Sequence, residues 1–278
     1  MPYKTIAVYL DDSKHCKARI DVAADLARRF DAHLVGVYST EPIPPAHALQ
    51  DGWLTEKLAA RSIAASERVA LVRKLFDARA GEIDAARREV RELDMSAVDA
   101  MKSTYADLIV VGQTDPDEGP LNAPPSFPEL VALSVGRPVL FVPYFTAAYP
   151  TLGKKVLVAW NGSREATRAV SDALPLLQRA ERVTAMVVNA KRDHPDSVDI
   201  PAADISVFLA RHGVKVEATQ SYTDELSVGD ELLVRVADGE FDLLVMGAYG
   251  HSRLREIVLG GVTQTLLQHM TVPVLMSH

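Results

Sequence analysis

Short uninterrupted apolar runs alternate along this chain with longer stretches in which apolar residues recur every three or four positions. The first pattern reads as buried strands and the second as amphipathic helices. In the first half, strands are expected at Thr5–Leu10, His33–Tyr38, roughly Ile83–Leu93, Leu108–Val111 and Val139–Val142. Helices are expected at Lys14–Arg29, Leu54–Ala78, Ser96–Ser103 and Pro128–Leu133. In the second half, the strands fall at Val156–Trp160, Val183–Asn189, Val214–Ser221, Leu243–Met246 and Val274–Met276. The helices there fall at Glu165–Ala180, Ala202–His212, Asp230–Ala237 and Val262–His269. Buried strands alternating with amphipathic helices argue for parallel βαβ units with right-handed crossovers in an open, doubly wound α/β sheet. Such sheets bind ligands beyond the C-terminal ends of their strands, where the strand order switches.

The pattern occurs twice. Thr5-Ile-Ala-Val-Tyr-Leu-Asp11-Asp12-Ser13 opens the first half, and Lys155-Val-Leu-Val-Ala-Trp-Asn161-Gly162-Ser163 opens the second. Ala106-Asp107-Leu-Ile-Val-Val-Gly112 matches Phe241-Asp242-Leu-Leu-Val-Met-Gly247. Arg137-Pro138-Val-Leu-Phe-Val matches Val272-Pro273-Val-Leu-Met-Ser, with glycine and proline equally spaced in both copies. The chain therefore reads as a tandem duplication with domains 1–147 and 152–278, linked across a stretch punctuated by Pro150 and Gly153. Each domain is expected to hold a mainly parallel five-stranded sheet.

Composition narrows the function. A chain of 278 residues accommodates two ordinary domains, and a net charge of -7 argues against non-specific nucleic-acid binding and against a basic membrane-binding face. Aromatic residues are sparse, which disfavours a base-stacking surface. Cys16 is the single cysteine, so no disulfide forms within the chain. The apolar run Ile6 to Leu10 stops at Asp11-Asp12, unlike a signal peptide, and the stretch Pro138 to Pro150 is too short and proline-broken to span a bilayer. A cytoplasmic protein is expected.

One stretch carries candidate chemistry. The run ending at Met246 breaks at Gly247, continues through Tyr249, Gly250 and His251, and reaches Gly260 and Gly261 before a helical pattern begins at Val262. A strand, a glycine loop and a helix start present backbone N–H groups to an anion. Two residues separate Gly247 from Gly250 and nine separate Gly250 from Gly260, which fits neither the P-loop nor the dinucleotide fingerprint. The spacing resembles the nucleotide-binding loop of the universal stress protein family, G-x2-G-x9-G-[ST], with Gly261 where the family has Ser or Thr.

Because the duplicated pattern covers nearly the whole chain, the resemblance implies strand order 3-2-1-4-5 in each half and ATP in the crevice of the second. Carried over by position, it sets Ala159, Trp160 and Asn161 against base and sugar, and Val187 as an apolar contact to adenine. Met246, Gly247, Tyr249, Gly250, Gly260, Gly261 and Val262 surround ribose and phosphates. Asn161 replaces the usual Asp, so the charge is lost. Thr263 is the nearest substitute for the missing hydroxyl, and bulky Trp160 is a candidate to fill the base pocket. His251 reads either as a phosphate contact or as a solvated loop residue. Magnesium is expected only in company with the nucleotide.

The first half keeps only Gly112 of the loop. Asp115 stands in place of Gly250 and Pro125 in place of Gly260, so carboxylates and missing N–H groups weigh against a polyphosphate there. Asp11 keeps the family's acidic position, and Ser13 is a candidate helix N-cap. Other constellations read as structural. His15 and Cys16 are helix-start neighbours that do not face each other. His194, Asp196 and Asp199 lack a completing ligand for a metal, and Ser163 reads as a helix cap. The mixed charges of 82–92 read as a solvated sheet-edge face. No catalytic base or loop lysine is evident, so no enzyme is expected beyond slow ATP hydrolysis. Two functions stay open: a stress-responsive regulator that binds an adenine nucleotide, or a nucleotide-independent module binding a protein partner or small molecule. The final strands of the two halves are expected to meet as an internal pseudo-dimer, compatible with further homodimerisation.

Overall fold

The computed structural model describes residues 2–40, 52–117, 124, 126–145, 149–189, 202–249 and 261–278, with backbone only for 52–65. In the first half, strands β1 (Thr5–Leu10), β2 (His33–Thr40), β3 (Arg88–Asp94), β4 (Leu108–Gly112) and β5 (Val139–Val142) alternate with four helices. These are α1 (Cys16–Phe30), α2 (Gly52–Arg79), α3 (Ala97–Lys102) and α4 (Phe127–Ser134). The second half repeats the scheme with β6 (Lys155–Ala159), β7 (Arg182–Val188), β8 (Val216–Ser221), β9 (Leu243–Gly247) and β10 (Val274–Ser277). Its helices are α5 (Arg164–Leu177), α6 (Ala203–Arg211), α7 (Val228–Asp238) and α8 (Gly261–His269).

Each half has the order 3-2-1-4-5, and the two sheets are continuous: the full order is β3-β2-β1-β4-β5-β10-β9-β6-β7-β8. Pairing within each half is parallel, and β5 meets β10 antiparallel, Leu140 opposite Leu275. This junction lies at the pseudo-two-fold axis between the repeats and covers a strand edge on each side.

Alternating side chains divide the core into two layers. On one face Ile6, Val8, Val156, Val158 and Val245 pack with residues of α1, α2, α5 and α6. On the other Ala7, Tyr9, Leu157, Leu244 and Met246 pack with α3, α4, α7 and α8. Both faces are covered, which is why the central strands read as continuous apolar runs. The duplicated aspartates anchor the start of each first strand. Asp107 Oδ2 accepts from the Lys4 and Thr5 N–H groups at 2.7 and 2.9 Å. Asp242 accepts from the Gly153, Lys154 and Lys155 N–H groups at 2.9, 3.1 and 3.2 Å.

The third strand differs from its expected span. Residues ahead of Arg88 form a turn, with Asp84 accepting from the Ala86 N–H, so the strand starts late. Its charges lie on an edge strand, where Arg91 pairs with Glu89 and Arg73 with Glu92 at 2.6 and 2.5 Å. Ser13 does not cap α1. The N-cap is His15, which makes no side-chain capping bond, while Ser13 turns both its N–H and its hydroxyl to Asp11 Oδ1. Ser163 does cap α5, its Oγ accepting from the Ala166 N–H at 3.1 Å.

Candidate functional site

The C-terminal ends of β6 and β9 lie side by side in the second half, with Ala159 opposite Met246. Beyond Ala159 the Trp160 N–H donates to the Met186 carbonyl at 2.8 Å, extending the pairing with β7. Asn161 then turns the chain into α5, its Oδ1 accepting from the Ser163 N–H at 3.1 Å. Asp11 makes the same contact to Ser13 at 3.0 Å in the first half, so the substitution keeps the turn and removes the charge.

The strand pleat separates the expected base contacts into two sets. Trp160 and Val187 are half-buried and pack on the α5–α6 layer, whereas Ala159 and Met246 belong to the α7–α8 layer. Trp160 therefore does not fill the side on which Ala159 and α8 lie. Gly250, His251 and Gly260 lie outside the described residues, as do His194, Asp196 and Asp199.

Gly247 has a packing role. A Cβ there would meet the Ala166 backbone N at 2.4 Å and the Glu165 carbonyl carbon at 2.6 Å, so only glycine lets the start of α5 approach β9 this closely. Past it, the Ala248 N–H donates to the Ser277 carbonyl at 2.9 Å. Tyr249 takes a left-handed conformation, φ 59°, and its N–H donates to Thr263 Oγ1 at 3.2 Å. Thr263 is buried, and the bond its hydroxyl accepts ties residue 249 to α8. The Tyr249 hydroxyl is buried without a partner among the described residues, and burial followed by the charge of Glu129 raises its pKa. Among the described residues nothing lies within 4 Å of a Cβ added at Gly261, and the residue is exposed at the start of α8. No described side chain stands between an anion and the N–H groups of that helix start.

In the first half the equivalent ground is filled. Tyr9 takes the place of Ala159, is 2 % exposed, and packs against the ring of Phe127, the first residue of α4, with the two rings tilted and their centroids 4.5 Å apart. Arg19, equivalent to Ala169, lies buried against Gly112: a Cβ on that glycine would meet Arg19 Nη1 at 2.6 Å. Its Nη2 pairs with Asp11 Oδ1 at 2.5 Å and its Nε donates to the Tyr9 carbonyl at 3.3 Å. Asp115 is buried between Lys14 Nζ at 2.9 Å and His15 Nε2 at 2.8 Å. These bonds, His15 first, bring its pKa down to about 2. The carboxylate is therefore neutralised inside the protein and does not project charge at an incoming phosphate, as the composition of the loop suggested. His15 is turned toward Asp115, while burial pushes the Cys16 thiol up to about 11, so the two are no nucleophile–base pair.

Neither aromatic plug nor buried arginine stands out in either half alone. Setting the repeats side by side exposes them, as Tyr9 against Ala159 and Arg19 against Ala169. Among the described residues no group of three or more His, Cys, Asp or Glu could hold a metal ion, and no helix is long and apolar enough to cross a membrane.

The sequence profile of the universal stress protein family matches residues 2–142 and 153–278. A universal stress protein of Synechocystis sp. is 30% identical over 150 residues, which is 53% of this chain and 49% of that protein. The chain thus spans about half the length of that relative. Among solved structures, a universal stress protein from Archaeoglobus fulgidus superposes with a TM-score of 0.71 at 17% identity, covering 98% of this chain and 97% of its own. A putative universal stress protein from Pseudomonas aeruginosa gives a TM-score of 0.61 at 14% identity, covering 99% and 93%. At these identities the two structures bear on the fold alone.

Proposed function

Given that the chain belongs to the universal stress protein family, we propose that it is a stress-response regulatory protein binding ATP or a related adenine nucleotide in its second half only. The observation that carries this reading is the contrast between the two crevices. Small residues, Ala159 and Gly261, stand at the strand end and helix start of the second half. Tyr9, Phe127, Arg19 and Asp115 occupy the corresponding ground in the first. In this reading Ala159 lies against base and sugar, and the N–H groups at Gly261 and Val262 face the phosphates. The glycine spacing assigns Gly250 and Gly260, outside the described residues, to the same nucleotide-binding loop. A bound nucleotide supplies a polyphosphate charge that any magnesium ion would accompany. No general base is at hand among the described residues, so binding without rapid turnover is the expected behaviour.

A second reading, a nucleotide-independent module of the same fold, draws support from Thr263 being committed to the Tyr249 N–H and from Asn161 lacking the family's charge. The two readings part on one observation. Denaturing the purified protein and separating what is released should yield adenine nucleotide at up to one equivalent per chain. Release of none, together with no binding on titration, would move the assignment to the second reading.

A further inference from the structure

At the start of α1 three donors converge on one carboxylate. Lys14 Nζ lies 2.9 Å and His15 Nε2 2.8 Å from Asp115 Oδ2, and the Asp117 N–H donates to Oδ1 at 2.9 Å. Asp115 is 6 % exposed although it belongs to a surface loop. It also holds the place that glycine, Gly250, takes in the other repeat. A lysine ammonium, an imidazole nitrogen and a backbone N–H around a single anionic group form a donor set that suits an oxyanion.

We propose that the first half retains an anion site and fills it with its own tethered carboxylate, Asp115, so that removing this side chain yields a site for inorganic phosphate. The neighbouring side chains favour a small ion. Tyr9 and Phe127, in ring contact at 4.5 Å, fill the position that Ala159 leaves small in the other repeat, and Arg19 is already paired with Asp11. Inorganic phosphate matches that size.

The tether also has a structural consequence in the native chain. Next to Asp115, Gln113 donates from Nε2 to the Gln268 carbonyl of α8 at 2.9 Å and accepts from the Tyr144 N–H at 3.3 Å. The internal carboxylate anchors residues 113–117 without a dissociable ligand, and Gln113 links them to α8 of the second half. A dissociable ligand would brace them only when bound.

The test uses the full-length chain and inorganic phosphate, with ionic strength held constant by chloride. The thermal midpoint of Asp115→Gly should rise with phosphate more than that of the parent. Adding Lys14→Ala to Asp115→Gly should weaken phosphate binding by roughly tenfold or more, as expected for loss of a charged donor. Should Asp115→Gly fold poorly, Asp115→Ala also empties the carboxylate position with less backbone freedom, and the His15 imidazole resonances should then shift with phosphate in that variant and not in the parent. Equal midpoint responses in parent and Asp115→Gly, a response indifferent to Lys14→Ala, or unmoved His15 resonances in Asp115→Ala would each overturn the proposal. None of these outcomes depends on nucleotide binding in the second half.

Discussion

Single residues decide what each crevice can accept. Asp115 in the folded protein has a pKa near 2, below its ordinary value of 3.8, because the ionised form is held by His15 and Lys14. A depressed carboxylate pKa adds stability that is present above the unfolded-state value and is lost as pH falls toward the folded-state one. Unfolding titrations between about pH 4 and pH 2 should therefore show a shallower loss of stability in Asp115→Asn than in the parent. Identical slopes would mean that the ion pairs do not form in solution. Gly261 supplies the opposite case. No described atom lies within 4 Å of a Cβ added there, so Gly261→Ser meets no steric objection from the described residues and restores the hydroxyl that the family's loop carries. Nucleotide affinity should rise by up to about tenfold, near 1.4 kcal/mol, with an unchanged unfolding midpoint. Calorimetric titration of both proteins checks this, and a weaker Ser variant would count against phosphates at the start of α8.

At the scale of elements, Gly247 and Gly250 should separate by experiment. Because a Cβ on Gly247 would lie 2.4 Å from backbone of α5, Gly247→Ala forces the helix and β9 apart. A cost of about 2–3 kcal/mol is expected from overpacking at a contact that rigid backbone cannot relieve. Denaturant unfolding measures it, and a loss below about 0.5 kcal/mol would show that α5 can move. The same elements show how far the sequence could be read. Strands buried on both faces, such as Thr5–Leu10 and Val139–Val142, are written as apolar runs and their ends were legible to the residue. β3 was not, because an edge strand with charges on both faces carries no period, and its start is set by the Asp84 turn. The N-cap of α1 was missed for a similar reason. Asp11 captures the Ser13 hydroxyl that composition alone would assign to the helix. For the site, glycine spacing pointed to the second half, yet Gly247 and Thr263 serve packing and loop closure here, which depend on the approach of α5 and α8. The plugging of the first crevice by Tyr9 and Phe127 joins residues far apart in sequence, and no local pattern encodes it.

For the whole molecule, the antiparallel pairing of β5 with β10 makes the duplicated chain its own dimer. Further contacts tie the halves together: the Tyr3 hydroxyl donates to the Asp172 carbonyl at 2.8 Å, Arg29 Nη1 donates to the Leu152 carbonyl at 2.7 Å, and the Arg179 guanidinium lies 4.4 Å from the Phe30 ring centroid. Residues 152–278 produced alone would expose the β10 edge and the apolar surface beside it. That fragment should self-associate as a two-fold dimer through β10, measured by light scattering after gel filtration, and a stable monomer would contradict this role of the junction. Within such a pseudo-symmetric body the proposed function is asymmetric, with nucleotide in the second half and the first half occupied by its own side chains. Calorimetric titration of the intact chain with ATP, beside Gly250→Val checked for folding by circular dichroism, tests it most directly. The account predicts one site per chain, with affinity reduced at least about tenfold by Gly250→Val. Two equivalent sites per chain, or equal affinity in the parent and the folded variant, would contradict it.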